Sequence, residues 1–141
     1  MKYLGIDFGL RKIGLATGDD VTGLAFALGN IDGGVNAIAT ILDRAKAEGV
    51  DALVVGLPIP DAHQKETQLE LTKTFARALE AASSIPLFVV DEQFTSAVAG
   101  TVQKESHSDM PEDAIAATIL LQAFLDGDRD LTIDAAQRRE E

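Results

Sequence analysis

The sequence predicts an α/β layer: a mixed five-stranded sheet flanked by helices. Near the N-terminus, short strand-like stretches are joined by glycine and aspartate turns, as in an antiparallel meander. Farther along, "DALVVGLP" and "IPLFVVDE" are nearly continuous apolar runs, which suit parallel strands covered on both faces. Between and after these runs, apolar residues recur at helical spacing. A meander that leads into parallel βα units gives this layer architecture.

The elements follow in order. Residues 2–8, 12–18 and 23–31 are predicted strands. In the first, Tyr3, Gly5 and Asp7 share one parity and Leu4, Ile6 and Phe8 the other, so the even set should face the core and Asp7 should be aimed away from it. Val35, Ile38, Leu42 and Ala45 mark a helix that ends at Gly49. Leu71, Phe75, Leu79 and Ala82 mark a second, which joins the two apolar runs into a βαβ unit. A weaker helix is predicted near 96–104, around Gly100, and a strong one from Pro111 to Asp126. Asp109 lies three residues before Glu112, a capping pattern that allows Pro111 in the first turn. Residues 1–126 are therefore expected to form one domain, with 127–141 a polar tail of no assigned role.

Composition removes several classes of function. Among 141 residues there is no cysteine, hence no disulfide framework or thiolate chemistry. His63 and His107 alone cannot build a histidine-rich zinc site and are expected in exposed loops. No G-x-x-x-x-G-K or G-x-S-x-G motif is present. The longest apolar tract, Ala114 to Leu125, is interrupted by Gln122 and is shorter than the roughly 20 residues a membrane helix needs. Asp7 sits where a secretory signal would need its apolar core, so a soluble, cytoplasmic protein without membrane contact is expected. A net charge of −11, from 23 acidic against 12 basic residues, gives little general attraction for a polyanion.

Three carboxylates stand out. Asp7 closes an apolar strand; by itself, such a residue could equally serve the following turn. Glu92 lies at the end of "FVVDEQ", at the carboxyl end of a parallel strand where ligands usually sit, and by itself could equally be a solvated strand-end acid, as Asp91 is expected to be. Asp113 heads the stripe Asp113, Ala116, Ala117, Leu120, Phe124 that should lie on the sheet. A charge there is costly unless paired or bound to a cation, although the helix dipole offers another support. Three such carboxylates from a first strand, a later strand and a last helix would repel one another, and a hard divalent ion, Mg²⁺ or Mn²⁺, relieves that repulsion. Such ions suit phosphodiester hydrolysis. Arg11 and Lys12, directly after the Asp7 strand, are candidate phosphate contacts or a plain turn pair.

"GIDFGLRKIGLATGD", "VVGLP", "VVDEQFTS" and "EDAIAATILLQAFLD" together resemble the YqgF family, nucleases of pre-16S ribosomal RNA related to the Holliday junction resolvases of the ribonuclease H-like superfamily. The resemblance implies a ribonuclease H-like fold, with metal-dependent phosphodiester hydrolysis by an acidic triad at Asp7, Glu92 and Asp113. It also implies 5′-end processing of pre-16S ribosomal RNA, or resolution of branched DNA. Departures concern the substrate surface. Gln93 stands where the family has arginine, Leu10 precedes Arg11 and Lys12 where the family has a Thr-Lys or Thr-Arg pair, and "KESHSDMPED" replaces a basic segment. The loop after Pro58 reads "IPDAHQKE" in place of a glycine-bearing one. The missing affinity is expected from a partner, the small ribosomal subunit precursor. Two other readings remain: a catalytically silent ribonuclease H-like binding module, and an ATP-binding protein of the actin-like and sugar-kinase type, which "DFG" resembles but which needs a second domain.

Overall fold

The computed structural model describes residues 1–58, 65–91, 110–127 and 133–134. Strands β1 (Lys2–Asp7), β2 (Lys12–Asp19) and β3 (Ala25–Asp32) form the meander. Helix α1 (Ala37–Glu48), β4 (Ala52–Leu57), α2 (Lys65–Ala82) and β5 (Leu87–Asp91) follow, then α3 (Glu112–Leu125) and β6 (Ile133–Asp134). The sheet order is β3-β2-β1-β4-β5-β6. The meander is antiparallel, while β1, β4 and β5 run parallel. The five expected strands are thus present with the expected directions. A sixth strand of two residues joins them from the stretch read as a polar tail: β6 lies antiparallel to β5, with Val89 opposite Ile133 and Phe88 opposite Asp134. The segment 96–104 lies outside the described residues, as do His63, His107, Glu92 and Gln93.

Strand β3 begins at Ala25, two residues later than its apolar pattern suggests. Asp19 accepts hydrogen bonds from the Thr22 amide at 2.7 Å and the Thr22 hydroxyl at 3.1 Å, and Gly23 turns with φ 72°. At the end of α1, Gly49 adopts the left-handed conformation, and its amide reaches the Lys46 carbonyl at 3.1 Å.

Helices α1 and α2 cover one face of the sheet. There, Leu4, Ile6, Ile13, Leu15, Leu53, Val55, Leu87 and Val89 pack with Ile41, Phe75 and Leu79. On the other face, Tyr3, Ala16, Val54 and Val90 pack with Ala117, Leu120, Leu121 and Phe124 of α3. Both parities of β1 are therefore buried, whereas sequence alternation suggested only the even set; a central strand between two helical layers has no solvent face. The odd set, which ends at Asp7, faces α3.

Helix α3 is apolar nearly all round, with Leu120, Leu121 and Phe124 fully buried. Each such side chain adds about 1.5–3 kcal/mol of burial energy. The expected stripe is borne out at Ala117, Leu120 and Phe124, while Ala116 is only half-buried. The N-cap is Pro111, with φ −58° and ψ 147° and no side-chain cap; Asp109, read as the capping residue, lies outside the described residues. The Pro111 carbonyl instead accepts from the Ala114 and Ile115 amides at 3.0 and 3.1 Å.

Glycines let α3 come this close. A Cβ on Gly5 would lie 2.8 Å from the Leu121 Cβ and 3.2 Å from the Ala117 carbonyl oxygen. One on Gly14 would fall on the backbone carbonyl of Asp113. Backbone cannot rotate aside as a side chain can. Gly14→Ala is accordingly expected to lower unfolding free energy by about 1–3 kcal/mol, the usual cost of overpacking, read as a fall in midpoint in urea. An unchanged midpoint would show that α3 lifts off β2 freely.

Candidate functional site

Asp7 is the last residue of β1, at the carboxyl end of the parallel strands. It lies directly opposite Gly14 of β2, and Gly14 lies opposite Asn30 of β3. Residues paired across strands share a face, so Asp7, Gly14 and Asn30 form one row under α3. Since Gly14 has no side chain, the first turn of α3 settles into the gap. The backbone of Asp113, the second residue of that helix, thereby lies over Gly14, whose cross-strand neighbours are Asp7 and Asn30. The Asn30 amide donates to Asp113 Oδ2 at 3.5 Å, a long hydrogen bond. All three side chains are half-buried.

Strand register and the seating of α3 thus set the Asp7 and Asp113 positions on the same face of the sheet, from opposite ends of the described chain. Glu92 lies outside the described residues, as the next position after Asp91. Asp91 ends β5 opposite Leu57 and alternates with Val90, which belongs to the α3 face. Among the described residues there is no cluster of three or more histidine, cysteine, aspartate or glutamate side chains able to hold a metal. Nor, among these residues, is any helix long and apolar enough to cross a membrane.

Lys12 and Arg11 occupy the rim. Lys12 lies two residues before Gly14, hence on the Asp7 face, and opposite Asp32. Its ammonium pairs with the Asp32 carboxylate, both side chains being exposed. Arg11 is exposed in the β1–β2 turn, where its carbonyl accepts from the Gly33 amide at 2.9 Å. A cleft of about 570 Å³ opens between this turn and α2, lined by Phe8 to Lys12, Thr67, Gln68, Leu71 and Asp113. Sequence reading missed Asn30, inside the predicted strand 23–31, and Asp32, just after it. The signal available was their spacing of two, which puts both on one face of a strand.

A family model described as RuvX, Holliday junction resolvase, matches residues 1–127. The chain belongs to the RuvX (YqgF) family. Among curated RuvX-like relatives, a protein of Methylobacillus flagellatus named "Putative pre-16S rRNA nuclease" is 35% identical over 134 residues, covering 88% of this chain and 90% of its own. One of the same name from Moorella thermoacetica is 33% identical, covering 89% and 95%. Among solved structures, Thermus thermophilus RuvC in complex with Holliday junction substrate aligns with a TM-score of 0.69 at 12% identity, covering 95% of this chain and 99% of that one. Fowlpox virus resolvase aligns at 0.53 and 11%, covering 89% and 97%. The fold is thus that of the resolvases, and the expected ribonuclease H-like α/β class is borne out.

The ion pair on the rim has a titration signature. A hydrogen bond and the charge from the Lys12 ammonium hold the Asp32 carboxyl below the usual carboxylate range. A depressed folded-state pKa stabilises the protein above the unfolded value, and that contribution is lost as pH falls through the folded one. Lys12→Met is expected to return the Asp32 pKa upward to an ordinary value, read from its side-chain NMR shift. An unmoved titration would show that Lys12 is already available to a ligand.

Proposed function

We propose that this RuvX-family nuclease hydrolyses phosphodiester bonds with Mg²⁺ or Mn²⁺ held by Asp7, Asp113 and Glu92, and that its substrate is the 5′ end of pre-16S ribosomal RNA. The observation that carries the reading is the placing of Asp113 beside the Asp7–Gly14 rung. Two half-buried carboxylates facing one space repel each other, and their hard oxygen donors suit a small divalent cation. Glu92 continues the parity of Val90, a residue of the α3 face, which supports its place as a third ligand or as the group that orients the attacking water.

When bound, such a cation supplies a Lewis acid for the phosphoryl oxygens. The chain's own residues do the rest. Asn30 restrains Asp113 Oδ2, and the rigid strand end fixes Asp7. Arg11 and Lys12 at the rim are placed to take the flanking phosphates, Lys12 by exchanging Asp32 for a phosphate. Both side chains are exposed and screened by solvent, so that exchange is inexpensive.

The named activity of the Methylobacillus and Moorella relatives supports the ribosomal RNA substrate, and the RuvC complex keeps branched DNA as the alternative. The net charge of −11 favours affinity supplied by a partner, the small-subunit precursor in the cytoplasm. A silent binding module is the remaining reading, favoured by Gln93.

Asp7→Asn, Glu92→Gln and Asp113→Asn are each expected to lower metal-dependent cleavage on the order of 10²–10³-fold with the fold intact. In Asp7→Asn the melting temperature without metal should hold or rise, because like-charge repulsion is relieved. Precursor RNA is expected to be cut faster within immature subunits than free, at matched Mg²⁺ and salt. Equal rates would refute partner-supplied affinity, and undiminished cleavage by Asp7→Asn would refute the site.

A further inference from the structure

The cleft beside Asp113 has an apolar wall that cleavage of a phosphodiester does not require. It straddles the top of the sheet. On the α3 side lies Asp113; on the α2 side, Leu10 and Leu71 are 68% and 40% exposed although they face the same cleft. The base of this wall is rigid, because the Phe8 ring stacks on Phe75 at 4.4 Å between centroids and 27° between planes. The turn that carries Leu10 is also fixed: its carbonyl abuts Gly33, where a Cβ would collide with it. Leu71 stands on the outer surface of α2, one turn from Phe75. Two leucines are thus held at the mouth of a cleft whose remaining lining includes two cations and a carboxylate.

We infer that this cleft receives an unpaired nucleobase of the substrate strand, packed on Leu10 and Leu71, while the adjoining phosphate lies at Arg11 and Lys12. The inference rests on the nuclease reading above and adds to it the class of strand accepted. Charge complementarity selects the occupant: an apolar flat ring joined to an anion matches an apolar wall joined to a basic rim. A volume of about 570 Å³ falls within the range of small-ligand sites. In a duplex the faces of each base are covered by its neighbours and only the backbone and base edges are presented, so paired nucleic acid cannot cover these leucines. A base released from its stack can. Thr67 and Gln68, on the same cleft, each offer both a donor and an acceptor to the base edge. Such groups adapt to any base, so recognition is of the unpaired state more than of sequence.

The test compares short RNAs of one sequence, single-stranded, fully paired, and paired with one bulged nucleotide, by fluorescence anisotropy in EDTA at low salt. The wild type is expected to bind the single-stranded and bulged RNAs about tenfold more tightly than the duplex, the scale of one apolar side chain covered. In Leu10→Ser/Leu71→Gln that preference should vanish with duplex binding unchanged, and Leu71→Tyr, which adds a stacking face, should increase it. Circular dichroism and melting temperature verify the fold of each variant. Equal binding of all three RNAs by the wild type, or equal weakening on all three by the double variant, would overturn the inference. So would a change of oligomeric state alone, which would mark the leucines as a protein contact. Cleavage by the wild type in Mg²⁺, with Asp7→Asn as control, separates the two readings. Cleavage without base preference, or no binding of any of the short RNAs, defeats only this inference, whereas failure to cut precursor RNA even within immature subunits defeats the nuclease reading with it.

Discussion

The close approach of α3 to the sheet at Gly14 governs this structure. A helix lying at ordinary distance from β2 would leave its first turn, and Asp113 with it, too far from Asp7 to share a ligand. Without a Cβ at Gly14 the Asp113 backbone rests on the strand itself, and Gly5 gives Leu121 the same clearance farther along. The buried contacts of Ala117, Leu120, Leu121 and Phe124 then hold the helix down. The same packing sets two carboxylate-bearing positions, Asp7 and Asp113, on one face of the sheet.

Electrostatics around the site divides into two zones. At the centre, Asp7 and Asp113 with Asn30 offer oxygen donors in half-buried surroundings. At the rim, Lys12 is held by Asp32 two rungs away from Asn30, and Arg11 stands in the turn between the site and the apolar cleft. A surface this acidic does not attract polyanions over long distances. Local arrangement must supply the selectivity that overall charge withholds, and the apolar wall beside the basic rim is the feature suited to it.

The legibility of the sequence varied by element. The parity of Tyr3, Gly5 and Asp7 correctly separated Asp7 from Leu4 and Ile6, because alternation along a strand is a local property. Alternation could not show that both faces are covered, which depends on where α3 packs. The glycines of β1 and β2 read as ordinary turn or strand residues, and only their neighbours across the sheet reveal why a side chain is excluded. Asn30 escaped notice because its register is shifted by the irregularity at Leu15 and Ala16, where pairing skips from Gly29 to Ala27. The same non-local dependence hid β6, since two residues pair only where an open edge of β5 awaits them.

By itself, the sequence determined the order and kind of the described elements other than β6, the mixed sheet, and the candidate status of Asp7 and Asp113. These follow from periodicity, turn chemistry and the cost of placing charge in apolar stretches, all of which act over a few residues. The tertiary structure decided which groups meet. It placed Asp113 over Gly14, gave Asp113 the Asn30 amide, engaged Lys12 with Asp32, and left Leu10 and Leu71 uncovered beside them. Each of these joins residues distant in the chain, set by the register of neighbouring strands and the seating of one helix, so no local pattern encodes them.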